Sequence, residues 1–82
     1  MYEPREVDVR WARSMLGMIR DGGILGYKSN RLIYKVDHRN KQLVLTNVDQ
    51  LEDEHSRETH DKGCAVFAAL GYKVKPARQI AV

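Results

Sequence analysis

"ILGYKSNRLIYKVDHRNKQLVLT", residues 24–46, decides the fold. Three short runs, "ILGYK", "RLIYKVD" and "QLVLT", are rich in branched and aromatic residues and are divided by "SN" and "HRN". Runs of that length, broken by turn-forming residues, read as consecutive strands of an antiparallel meander. A two-residue turn at Ser29-Asn30 sets Tyr27 opposite Leu32. A four-residue loop over Asp37–Asn40 sets Leu43 opposite Tyr34 and Leu45 opposite Leu32. Alternation then collects Leu25, Tyr27, Leu32, Tyr34, Val36, Leu43 and Leu45 on one face, the expected core. The other face carries Lys28, Arg31, Lys35 and Gln42, interrupted by Ile24, Ile33 and Val44. A one-residue slip would mix the two sets, so burial selects this pairing.

Upstream, "DVRWARSMLGMIRD" (8–21) has Trp11, Ala12, Met15, Leu16, Met18 and Ile19 at three- and four-residue spacing, the pattern of an amphipathic helix. Asp8 is a candidate N-cap, although Pro4 allows an earlier start and "EVDVR" also reads as a short strand; Gly22 and Gly23 are the stop signals. Downstream, Asp49 and Glu52 match a capping box, with the second helix starting somewhere between 50 and 57. Cys64, Val66, Phe67 and Leu70 then fall at helical spacing, and Gly71 ends the run. Gly63, Ala65, Ala68 and Ala69 would let this helix lie close on a sheet, although Gly63 weakens it by ~1 kcal/mol relative to alanine. "YKVK" can add a short edge strand before Pro76. The expectation is therefore an α+β fold of αβββα order in one small domain over 1–82, with loose ends at about 1–6 and 77–82.

The net charge of +3 conceals alternating blocks. Residues 1–21 are neutral; residues 22–48 carry five bases against Asp37. Residues 49–62, "DQLEDEHSRETHDK", carry six acids against Arg57 and Lys62, and the remainder is basic again. Such alternation suits contact between oppositely charged surfaces. One cysteine, Cys64, excludes an internal disulfide and fits a reducing compartment. No apolar run approaches the ~18 residues of a membrane span. "MYEPREVDVR" lacks the apolar core of a signal peptide, so a cytoplasmic protein with no membrane partner is expected.

The acidic segment is the one stretch that looks like chemistry. Its histidines, His55 and His60, are five apart, about 140° around a helix, and cannot clamp one ion. His60 and Cys64 are four apart, but two ligands are not a metal site. Glycine is missing from the turn position a calcium loop needs. Acids in the first turns of a helix instead meet the positive end of its dipole, and Glu58 pairs with Lys62 in the favourable order. Cys64 lies on the core face, where a thiol behaves as a small hydrophobe. "DGGILG" follows a helix, whereas phosphate cradles precede one. No nucleophile, metal or cofactor motif remains, so no enzyme and no cofactor are expected.

The element order is similar to that of the double-stranded RNA-binding domain and of the HicA-type mRNA interferase toxins, over roughly residues 8–71 and in topology only. In the RNA-binding domain a lysine-rich start to the second helix grips phosphate; this chain has "DQLEDEHSRETHDK" there. The toxins need a histidine on the second strand; "RLIYKVD" has none, and His38 falls in the following turn. A shared layout without the site residues implies neither activity. Two kinds of binding remain. Ile24, Ile33 and Val44, ringed by Arg31 and Lys35, form a stripe suited to protein contact or self-association. In that reading Ile33→Asp abolishes association without unfolding the chain. The alternative is a nucleic-acid module gripping phosphates with Lys28, Arg31, Lys35, Arg39 and Lys41, aided by His38, Lys73 and Lys75. Size and lack of an enzyme signature also suit an accessory protein of a phage or mobile element.

Overall fold

The computed structural model describes residues 2–77. In chain order these form α1 (Glu6–Met18), β1 (Ile24–Tyr27), β2 (Leu32–Asp37), β3 (Gln42–Leu45), a 3-10 turn (Val48–Glu52), α2 (Glu54–Ala68) and β4 (Lys73–Lys75). One mostly antiparallel sheet of order β1-β2-β3-β4 results, with both helices packed into the same apolar core. The α+β meander and the extra edge strand are as the sequence implies. None of the described helices is long and apolar enough to cross a membrane.

α1 starts two residues before the expected cap. The Arg5 carbonyl already accepts from the N–H groups of Asp8 and Val9, at 3.0 and 3.1 Å, which makes Asp8 a first-turn residue. Asp8 instead accepts from the Tyr2 hydroxyl at 3.2 Å, and Tyr2 packs against the core. Tyr2, within the stretch expected to be loose, is held there. The helix also ends early, at Met18, because Ile19 is already extended. Gly22, at φ +85°, then turns the chain into the sheet. Its N–H donates to Val36 O at 2.6 Å, while Val36 N–H donates to Gly23 O at 2.8 Å, the pattern of a glycine bulge.

The first hairpin pairs Tyr27 with Leu32, as expected, through left-handed φ values at Lys28, Ser29 and Asn30. The second is two residues out of the expected register. Tyr34 faces Leu45 and Val36 faces Leu43, so the loop is His38–Lys41 and Asp37 still pairs, with Gln42. The cause is the Asp37 carboxylate, which accepts from Asn40 N (3.1 Å) and Asn40 Nδ2 (2.8 Å) and so braces the loop from the last strand position. A shift of two preserves side-chain parity. All seven residues assigned to the core face are buried.

α2 has a cap, but not the expected one. Asp49 sits in the 3-10 turn, and it is the Asp53 carboxylate that accepts from Ser56 N–H at 3.0 Å. The expected Glu58–Lys62 pair is absent; Lys62 Nζ lies over the Tyr2 ring instead. The buried face of α2 is Ser56, Thr59, His60, Gly63, Val66 and Phe67. Gly63 is its closest approach to the sheet: a Cβ there would stand 3.1 Å from the Tyr27 ring and 3.5 Å from the Tyr34 hydroxyl. Ala68 and Ala69, expected to share that role, face outward. β4 returns parallel to β3, as a crossover through a helix requires, pairing Leu43 with Val74 and Val44 with Lys75.

Candidate functional site

Because both helices sit on one side, the second face of the sheet is left uncovered by the described residues. Registers of the three ladders place one row straight across it: Ile24, Lys35, Val44, Lys75. Ile24 is 55% and Val44 42% exposed, and both lysines are exposed. Half-buried Ile33 lies diagonally beside Ile24 and Val44, within side-chain reach. A second row reads Asp37, Gln42, Lys73. Among the described residues no carboxylate approaches Lys35, Lys73 or Lys75 within ion-pair distance. The Asn40 amide holds the Asp37 carboxyl below the usual range, so it stays ionised, but its oxygens are used within the loop. A shallow depression runs from Lys35 and Val44 to Arg39 and Asn40. The face is thus an aliphatic patch threaded by unpaired cations.

The structure divides the basic residues that the sequence groups together. Lys35 is on the open face, and Arg39 lies at its end. Lys28 turns toward α1, 3.7 Å from Asp8 and over the Tyr27 ring. Arg31 turns toward the start of α2, 3.7 Å from Asp53 and 3.4 Å from Ser56 Oγ. Lys41 lies over the Tyr72 ring. Alternation places Lys28 and Arg31 outward, but the left-handed turn residues interrupt the strand between them. Lys73 and Lys75 take their place, brought in by the parallel β4.

Two histidines, His60 and His38, are each held by a pair of hydrogen bonds. His60 is fully buried, with Nε2 2.9 Å from Pro76 O and Nδ1 2.7 Å from the Tyr34 hydroxyl. A carbonyl only accepts, so Nε2 carries the proton and Nδ1 accepts from Tyr34, whose own pKa burial raises. His38 repeats the arrangement, donating from Nε2 to Ile19 O at 2.6 Å and accepting at Nδ1 from Tyr72 at 2.7 Å. It ties the β2–β3 loop to the end of α1. Among the described residues no three His, Cys, Asp or Glu side chains are grouped to hold a metal.

One surface escapes the sequence reading. Trp11 and Met18, assigned to the core face of α1, are 38% and 72% exposed, and Val7 is 55% exposed. Only Ala12 and Leu16 of that helix are buried. Spacing of 4 and 7 between Val7, Trp11 and Met18 marks a second stripe beside the core stripe, a signal hidden by reading the apolar face as one band. No family model, curated protein or solved structure matches the chain.

Proposed function

We propose that this chain is a non-enzymatic binding module that docks an acidic protein surface on its uncovered sheet face. The observation that carries the reading is the row Ile24–Lys35–Val44–Lys75, in which exposed aliphatics alternate with cations that have no carboxylate partner among the described residues. Neighbouring strands lie about 4.8 Å apart, so like residues recur at roughly 10 Å across the face. A partner helix with acids and aliphatics alternating one turn apart matches that repeat. Aliphatic contact supplies affinity, and the lysines supply orientation and on-rate.

Nucleic acid fits less well. Among the described residues the open face carries no aromatic ring on which a base could stack, and two of the five expected phosphate contacts, Lys28 and Arg31, are paired with acids of the same chain. The test is an amide-resolved NMR titration with an acidic amphipathic helical peptide, run beside anisotropy titrations with duplex and single-stranded RNA and DNA. Peptide shifts confined to Ile24, Ile33, Lys35, Val44 and Lys75, lost in Val44→Asp, are the expected result. Tight nucleic-acid binding that weakens by orders of magnitude between ~50 and ~200 mM salt would replace this reading.

A further inference from the structure

Most of the large apolar side chains that the fold leaves exposed border one edge of the molecule. Val7 and Trp11 on α1 wall a cleft of about 390 Å³ whose other wall is Gly26, Tyr27 and the β1–β2 turn. Trp11 rests 5.8 Å from the Tyr27 ring. Met18 continues the α1 stripe toward the start of β1, where Ile24 is exposed. β1 is itself an outer strand of the sheet.

The backbone of that edge is open. Val36 bonds to β1 at Gly23, and Ile33 bonds to β3 at Thr46. Antiparallel pairs alternate, so Leu25 and Tyr27 spend their groups on β2, while the N–H and C=O of Ile24 and Gly26 point away from the sheet. The opposite edge is defended: β4 is three residues long, reads Lys-Val-Lys and runs into Pro76. β1 has neither charge nor proline.

The occupant that fits is a second copy. An antiparallel pairing of β1 with itself about Leu25 brings Ile24 of one copy opposite Gly26 of the other, twice, joining all the outward backbone groups. The Asn30 side chain lies over Gly26 on that face, so the isoleucine packs beside it. Parity keeps both core faces on one side, and the two α1 stripes then meet above the seam. A helix spans about two strands, and helices pack at roughly 8–10 Å, so the helical layer closes as the sheet does. Charge agrees. Glu6 pairs with Arg10 and Asp8 with Lys28 inside each chain, leaving this border close to neutral, whereas a face-to-face dimer would oppose lysine to lysine on the open sheet. We propose that β1 is a self-pairing edge, joining two chains by antiparallel β1–β1 hydrogen bonds and by contact of Val7, Trp11 and Met18 into one eight-stranded sheet. This is independent of what docks on the open face.

Sedimentation of the full chain from micromolar to millimolar concentration tests it, with circular dichroism as the check on folding. The wild type should show twice the chain mass. Met18→Glu, which opposes carboxylates at the seam, and Ile24→Pro, which removes an outward N–H and the isoleucine side chain without breaking a bond to β2, should both halve that mass with the fold intact. Lys35→Glu, on the open face, should stay dimeric. A wild type that is monomeric throughout overturns the proposal, as do folded edge variants that remain dimers or a Lys35→Glu chain that dissociates. Should the variants fail to fold, hydrogen exchange on the wild type decides. Slow amides at Ile24 and Gly26 that become fast on dilution are expected, and fast exchange at every concentration refutes the edge.

Discussion

Tyr27 and Tyr34 stand side by side against Gly63, and their hydroxyls have opposite fates. That of Tyr34 bonds His60 Nδ1, while that of Tyr27 is buried with no hydrogen-bond partner among the described residues. A buried polar group without a partner carries its desolvation cost uncompensated. Tyr27→Phe should therefore raise stability by about 1 kcal/mol, and Tyr34→Phe, which removes the donor from a buried imidazole, should lower it by about 1–2 kcal/mol. Urea melts of the two variants check this, and equal effects would refute the asymmetry. Burial also raises both phenol pKa values. A group whose folded pKa is raised contributes stability below its ordinary value and loses it as pH climbs past that value. These two rings should thus ionise only as the chain unfolds above about pH 10, so phenolate absorbance and loss of circular dichroism rise together. At this scale the sequence is a good guide to which strand side chains are buried, since the seven that alternation assigns to the core are all buried. It is silent on His60, whose partner lies 26 positions away on another element.

Elements depend on local groups that propensity does not rank. Four acids in "DQLEDE" and its surroundings compete to cap α2, and the winner is the one whose oxygen can reach an N–H three residues on while Arg31 lies alongside. The Ser56 N–H holds the Asp53 carboxyl below the usual range. With a lowered folded pKa, its contribution is present above the ordinary carboxylate value and disappears as pH falls through the folded one. Asp53→Asn keeps an acceptor but cannot titrate. Its melting temperature should consequently fall less than that of the wild type below about pH 4, and parallel profiles would show that Asp53 is not the acid-sensitive cap. The same helix depends on Gly63. Alanine there gains ~1 kcal/mol of helix propensity but presses on a ring 3.1 Å away, so Gly63→Ala should be near neutral. Gly63→Leu should cost about 1–3 kcal/mol as α2 is levered off the sheet, measurable in the same melts. The meander, the helices and the edge strand were legible because they rest on periodicity. The β2–β3 register and the true caps were not, because each turns on a single carboxylate choosing among near-equivalent N–H groups.

For the whole molecule, the β1 edge and the open sheet face are geometrically linked. Pairing through β1 extends the sheet sideways, so the open faces of two chains become one continuous face. From β3 of one copy to β3 of the other is five inter-strand steps, roughly 24 Å at about 4.8 Å each. Each copy presents its own Lys35–Val44–Lys75 row at that separation. The sequence names Ile24, Ile33, Val44 and Lys35 as outward-facing, four of the five residues of the proposed contact. The recruitment of Lys73 and Lys75 depends on a parallel strand whose position no local pattern announces. A ligand with two acidic segments joined by a flexible linker of roughly twenty residues, whose r.m.s. length is about 24 Å, can engage both rows together. The second contact is then intramolecular, and affinity should exceed that of a single segment by at least about a hundredfold. Met18→Glu should abolish that gain while leaving single-segment affinity unchanged, because the open face of each chain is intact. Lys35→Glu should do the reverse, weakening both ligands while the chain remains a dimer. Calorimetric titration of the two ligands into the wild type and both variants separates these outcomes. Equal affinity of the wild type for the single and the tandem ligand would show that the two faces are not coplanar, and the link between edge and face would fail.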